Sequence, residues 1–161
     1  MGQICNFTYD ETFIGQTASY SKRIGEREIM LFAAASGDRN PLHLNAEFAA
    51  GSVFGERIAH GMLCASLVSS AVARALPGPG SIYVSQSLRF LRPVKIGDEL
   101  TARLEVTGKR DDKRFVTLDC QVVNQQGRTV ISGEAVVLAP AEKMTVDEPP
   151  LPVIKIGDQT P

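Results

Sequence analysis

Histidine and cysteine are scarce in this chain of 161 residues, which carries two of the first and three of the second. Cys5, Cys64 and Cys120 are odd in number and far apart, with no CxxC pair, so neither a disulfide framework nor a redox motif is written here. A reducing, cytoplasmic location is expected. The same scarcity argues against a zinc site, and no metal is expected. Charge of one sign is lacking too: the formal net charge is −1, which gives no electrostatic case for nucleic acid or an anionic membrane. No apolar run approaches the ~20 residues that cross a bilayer. The stretch Met1-Gly2-Gln3-Ile4-Cys5-Asn6 has no basic region followed by an apolar one, so no secretory signal is expected. Asn6 stands where N-myristoylation wants Ser or Thr.

What is present is ordinary for a globular protein: 43% apolar and 22% charged residues, over a length that suits one domain with a real core. The hydrophobic period is helical first and two-residue later. Ile29, Leu31, Phe32 and Ala35 predict a helix from about Arg27 that stops before Pro41. Asn45 is placed to cap a short helix through Ala50. From Gly61 to Leu76 the apolar residues leave little polar face, which predicts a buried helix ended by Pro77-Gly78-Pro79-Gly80. Thr17–Ile24 is a short strand candidate, and four more strands follow Gly80: 82–91, 100–106, 116–122 and 129–138, the last three joined by short turns. A buried helix followed by hairpin-linked strands reads as α+β, an antiparallel sheet wrapped around a helix. The prolines from Pro140 onward predict a linker or extended tail over 141–161, after a folded unit over 1–140.

Both histidines lie in motifs that can carry chemistry. In Ser36-Gly37-Asp38-Arg39-Asn40-Pro41-Leu42-His43, Pro41 breaks the helix and turns the chain, so Asp38 and His43 can converge. A carboxylate and an imidazole held together can orient and deprotonate a water and later return the proton. On spacing alone an ordinary turn, with His43 bonded to backbone, explains the same residues. Gly61, at the start of the buried helix, offers free N–H groups and the helix dipole to an oxyanion, or is a packing position. For His60, an N-cap, a substrate contact and a structural role are all open. Cys64, inside the apolar helix, reads as core and not as a nucleophile. Arg89, Arg92 and Lys95 read as solvated surface charge, with a phosphate contact as the other reading.

Taken jointly, Ala35-Ser36-Gly37-Asp38, Asn40-Pro41-Leu42-His43, Ile58-Ala59-His60-Gly61-Met62, Phe90-Leu91-Arg92-Pro93-Val94 and Gly97-Asp98-Glu99-Leu100 resemble the MaoC-like (R)-specific enoyl-CoA hydratases, over roughly residues 10–140. The resemblance implies a hotdog fold with Gly61–Leu76 as its central helix, and a homodimer or dimer of dimers acting on acyl-CoA. It implies Asp38 and His43 as the catalytic pair, with the Gly61 N–H polarising the thioester carbonyl. Asn40 is expected to hold the loop and help order the site, and Asn40, His60 and Met62 are the expected substrate contacts. No metal or redox cofactor is implied, since acyl-CoA is the substrate. The motifs are also similar to the hydratase part of bacterial proteins that join this domain to a phosphate acyltransferase, so a fused or associated acyltransferase is an expected partner. The expected reaction is reversible hydration of trans-2-enoyl-CoA to (R)-3-hydroxyacyl-CoA. A thioesterase on the same fold and a non-catalytic acyl-CoA binding or assembly module are the alternatives. The paired acid and imidazole favour hydration over both.

Overall fold

A computed structural model describes residues 2–155. Its elements follow the two periods of the sequence. Strand β1 (Gln3–Cys5) and strand β2 (Thr17–Arg23) precede helix α1 (Glu26–Ser36), the short helices α2 (Pro41–Leu44) and α3 (Ala46–Ala50), and the long helix α4 (Gly61–Arg74). Strands β3 (Ile82–Gln86), β4 (Arg89–Phe90), β5 (Glu99–Arg110), β6 (Phe115–Asn124), β7 (Thr129–Leu138) and β8 (Thr145–Asp147) complete the chain. Strands β2, β5, β6, β7 and β3 lie side by side in that order, all antiparallel, with β4 also paired to β7.

Alternation decides which face of this sheet is wet. Leu100, Ala102, Leu104 and Val106 of β5 and Val116, Leu118, Cys120 and Val122 of β6 are all buried, while Glu105 and Gln121 point to solvent. Against the buried face lies α4, which contributes Leu63, Leu67, Val68, Ala71 and Val72. A helix with buried residues at these spacings cannot stand on a surface, and the curved sheet laid around it is the hotdog arrangement. Among the described residues no helix is long and apolar enough to cross a membrane.

Two segments depart from the sequence reading. The strand expected over 82–91 is interrupted at Ser87 and Leu88, where the chain crosses β7 at Gly133. A Cβ on Gly133 would lie 1.9 Å from the Ser87 carbonyl oxygen, so only glycine admits the crossing. The tail expected over 141–161 is held to the body in its first part: β8 pairs with β1. The buried Asn6 side chain donates to the Glu142 carbonyl at 2.9 Å and accepts the Met144 N–H at 2.9 Å. Arg74 pairs with Glu148, and Arg27 donates to the Ile154 carbonyl. One buried amide some 140 positions upstream supplies the order that proline content conceals. Residues 156–161 of that tail lie outside the described residues.

Candidate active site

The segment joining α1 to α2 is shaped by its own side chains. Helix α1 stops at Gly37, whose φ of 77° suits glycine. Beyond it the Asp38 N–H donates to Ser36 Oγ at 3.1 Å, the Asn40 N–H to Asp38 Oδ1 at 3.2 Å, and the Leu42 N–H to Asn40 Oδ1 at 3.0 Å. This chain of Asx-type turns starts α2 with Pro41 in its first turn and carries His43 inward. Asn45 then caps α3 by accepting the Phe48 N–H at 2.9 Å.

His43 is buried, and its Nδ1–H donates to the Ile58 carbonyl at 2.8 Å. A carbonyl only accepts, so the proton sits on Nδ1 and Nε2 keeps a lone pair. Residues 58 and 59 are themselves fixed, because Ile58 bridges Lys95 and the Ala59 N–H donates to the Val94 carbonyl at 2.8 Å. Arg57 reaches the His43 carbonyl and pairs with Glu26 of α1. His60 follows, 1% exposed, and donates Nε2–H to the Asp38 carbonyl at 3.0 Å. Its ring lies 3.9 Å from that of His43, centroid to centroid, and 5.0 Å from Phe32. Burial lowers the His60 pKa from its ordinary value, and the neighbouring His43 adds to this against the opposing pull of Asp38.

Asp38, His43 and His60 each bring one donor atom within 4.8 Å of the others. Such a trio can resemble a metal site; His60 Nε2 is bonded to the Asp38 carbonyl, while its Nδ1 has no partner. The arrangement sets a carboxylate and two imidazoles close together, with the two rings packed on one another. Beside it opens a cavity of about 290 Å³ lined by His43, Phe54, Ile58, Ala59, Gly61, Cys64, Phe90, Leu91, Arg92, Pro93, Val94 and Ile131. Gly61 is the first residue of α4, and no side chain caps the N–H groups there. The Phe90 ring packs directly on Gly61: an added Cβ would sit 2.9 Å from two ring carbons. Burial pushes the Cys64 thiol up to about 12, which suits a core residue and not a nucleophile.

Asp38, His43 and Gly61 are thus brought to one corner. None of the three residues expected as substrate contacts is among those lining the cavity. Asn40 spends its side-chain oxygen on capping α2, His60 is buried behind His43, and Met62 is 57% exposed and outside the cavity lining. Arg92 does line the cavity, with Nη1 donating to the Thr129 carbonyl, while Lys95 pairs with Glu56. Phe54 and Ile131 line the cavity without any signal in the sequence, and so does Phe90, which belongs to one of the family-like motifs but carried no expected role. Phe54 lies in the loop between α3 and α4, Phe90 in β4 and Ile131 in β7, apolar residues like many others that only the tertiary fold gathers beside Gly61.

The chain is similar to known proteins. Residues 11–127 match the MaoC-like domain. The (R)-specific enoyl-CoA hydratase of Aeromonas caviae is 51% identical over 127 residues, 79% of this chain and 95% of that protein. The 3-hydroxybutyryl-CoA dehydratase of Methylorubrum extorquens is 38% identical, over 84% of this chain and 85% of that protein. The solved structure of an unliganded R-hydratase from Pseudomonas aeruginosa superposes with a TM-score of 0.92 at 52% identity, covering 97% of this chain and 100% of that one. With a helix-filled antiparallel sheet, an Asp–His pair at the mouth of its central helix and these relatives, the chain belongs to the MaoC-like domain family.

Proposed function

We propose that the chain hydrates trans-2-enoyl-CoA to (R)-3-hydroxyacyl-CoA, and catalyses the reverse dehydration, with Asp38 and His43 as the reacting pair. One observation carries this. The Asp38 carboxylate and a His43 ring nitrogen lie within 4.8 Å of each other beside a cavity that also reaches Gly61. That span is bridged by one water making two hydrogen bonds of about 2.8 Å at a tetrahedral angle. The Ile58 carbonyl holds the His43 proton on Nδ1, leaving Nε2 as the acceptor.

The thioester oxygen is directed at the Gly61 N–H, which draws electron density from C3. Water held by Asp38 and His43 gives up a proton to the pair as its oxygen bonds to C3, and the C2–C3 π electrons move towards the carbonyl. The resulting enolate-like charge rests at the amino end of α4, where the helix dipole and unpaired N–H groups favour it. The proton held by the pair is then delivered to C2, so no proton is gained or lost overall.

The working assembly in this proposal is a homodimer in the cytoplasm. Strand β3 is a sheet edge whose Ile82, Tyr83 and Val84 are exposed, and Phe90 and Leu91 are exposed beside it. An apolar edge of this kind calls for a covering strand, and a second copy supplies one. Association with a phosphate acyltransferase rests on the motif resemblance alone. The deciding experiment follows loss of the enoyl thioester with crotonyl-CoA for wild type, Asp38→Asn and His43→Gln, with a thiol reagent read in parallel. Wild type consumes substrate without releasing thiol, and each variant loses ~10²–10⁴ in rate. Thiol release instead means thioesterase chemistry. Full turnover in both variants removes the pair from the mechanism.

A further inference from the structure

His60 is the buried titratable group that the hydration mechanism leaves without a task. We propose that His60 is a positioning residue: its Nε2–H fixes the backbone carbonyl of Asp38 while its ring supports the imidazole of His43, so that one side chain sets the spacing of acid and base. The inference rests on Asp38 and His43 being the reacting pair.

The bonding of the Asp38 loop carries the argument. The turns that shape residues 37–40 are made with Ala33, Ser36, Leu42 and His43, or among the loop residues themselves. They give the loop its form but do not fasten it to the rest of the protein, and residues 37–40 are all exposed. Among the described residues, the bond from His60 Nε2 to the Asp38 carbonyl is the one hydrogen bond that ties this loop to a distant part of the chain. Its other end is firm. His60 leads directly into α4, follows the bridged residues Ile58 and Ala59, and its own carbonyl accepts the Cys64 N–H. The ring centroids of the two imidazoles lie 3.9 Å apart, and the Phe32 ring packs against His60 at 5.0 Å.

The tautomer follows from the same contacts. A carbonyl accepts, so His60 Nε2 holds the proton, and Nδ1 is a buried acceptor without a partner. A second proton on Nδ1 would bury an unpartnered donor and place a cation against His43, the ring that must itself take a proton from water. Asp38 and His43 are the ionisable groups that face His60, and Phe32 faces it with an apolar ring. His60 therefore works as a neutral brace beside His43.

Two histidines make the test clean. In ¹⁵N-labelled wild type, with His43→Gln used for assignment, the His60 ring is expected to show a proton on Nε2 and none on Nδ1, and to stay neutral while the enzyme is active. A proton on Nδ1, or protonation at the ordinary histidine pH, overturns the proposal. This reading holds whether or not crotonyl-CoA is turned over, so it fails separately from the proposed reaction. In parallel, His60→Gln keeps a donor without the ring, and His60→Phe keeps a ring without the donor. Each folded variant is expected to lose about 10–100-fold in kcat, with KM within about twofold of wild type, as displacement of a reacting group does. Unchanged kcat in folded variants refutes the brace, and a raised KM at full kcat makes His60 a substrate contact instead. Should a variant fail to fold, the wild-type tautomer still decides.

Discussion

Gly61→Ala isolates the oxyanion corner from the acid–base pair. The added Cβ falls 2.9 Å from Phe90 Cδ1 and Cε1, so the ring must retreat by roughly 0.6 Å to reach ordinary contact of about 3.5 Å. Phe90 is 53% exposed in the single chain, and the contact is with its side chain and not with backbone. Alanine also orders the first turn of α4 better than glycine, by about 0.5–1 kcal/mol. The two effects oppose each other, and stability is expected to change by less than about 1 kcal/mol, a shift in Tm of no more than about 4 °C. In the proposed mechanism the thioester oxygen approaches the Gly61 N–H, and the methyl group crowds that approach. Activity should fall as if an oxyanion donor were lost, by ~10²–10³ or about 2.7–4 kcal/mol of transition-state stabilisation. Crotonyl-CoA hydration with Gly61→Ala and with Gly61→Ala/Phe90→Ala measures this. The double variant should remain slow, because removing the ring does not remove the methyl group. Gly61→Ala that is folded and within about threefold of wild type refutes a role for this N–H. Recovery in the double variant shows that ring displacement caused the loss.

Other consequences follow from the same contacts. Burial lowers the His60 pKa below its ordinary 6.5, so the unfolded chain takes up the proton first as pH falls. Stability is then fully present above pH 6.5 and declines below it until the folded pKa is reached, with a slope of at most about 1.4 kcal/mol per pH unit from this group. Urea titrations of wild type and His60→Phe across that window should differ in this slope, and parallel curves would refute it. Gly133→Ala should fail to fold or lose several kcal/mol, since its Cβ would meet the Ser87 carbonyl at 1.9 Å and backbone cannot step aside as a side chain can; a thermal melt within a few degrees of wild type would contradict the crossing. Cys5 is exposed, whereas burial pushes Cys64 up to about 12 and Cys120 up to about 11. A thiol reagent at pH 8 should therefore titrate one cysteine in the native protein without loss of activity, and three in denaturant.

The amino-acid order by itself determined what nearest neighbours along the chain decide. Apolar residues at helical spacing placed α1 and α4, alternation placed β5, β6 and β7, and Asn45 capped α3 as its side chain predicted. Pro41 turned the chain so that Asp38 and His43 came near one another, because the turn closes within a few residues and is made by the side chains of Asp38 and Asn40. Only the tertiary structure decided the rest. His60 meets the Asp38 carbonyl across 22 positions, and His43 meets the Ile58 carbonyl across 15. The rotation of α4, set by which of its apolar residues the sheet takes up, turned Met62 away from the cavity. The tail gained a strand from Asn6 and β1, at the other end of the chain. Bonds between near neighbours are fixed by residue type and spacing, whereas bonds across the fold form only once burial of the core has brought distant backbone groups together.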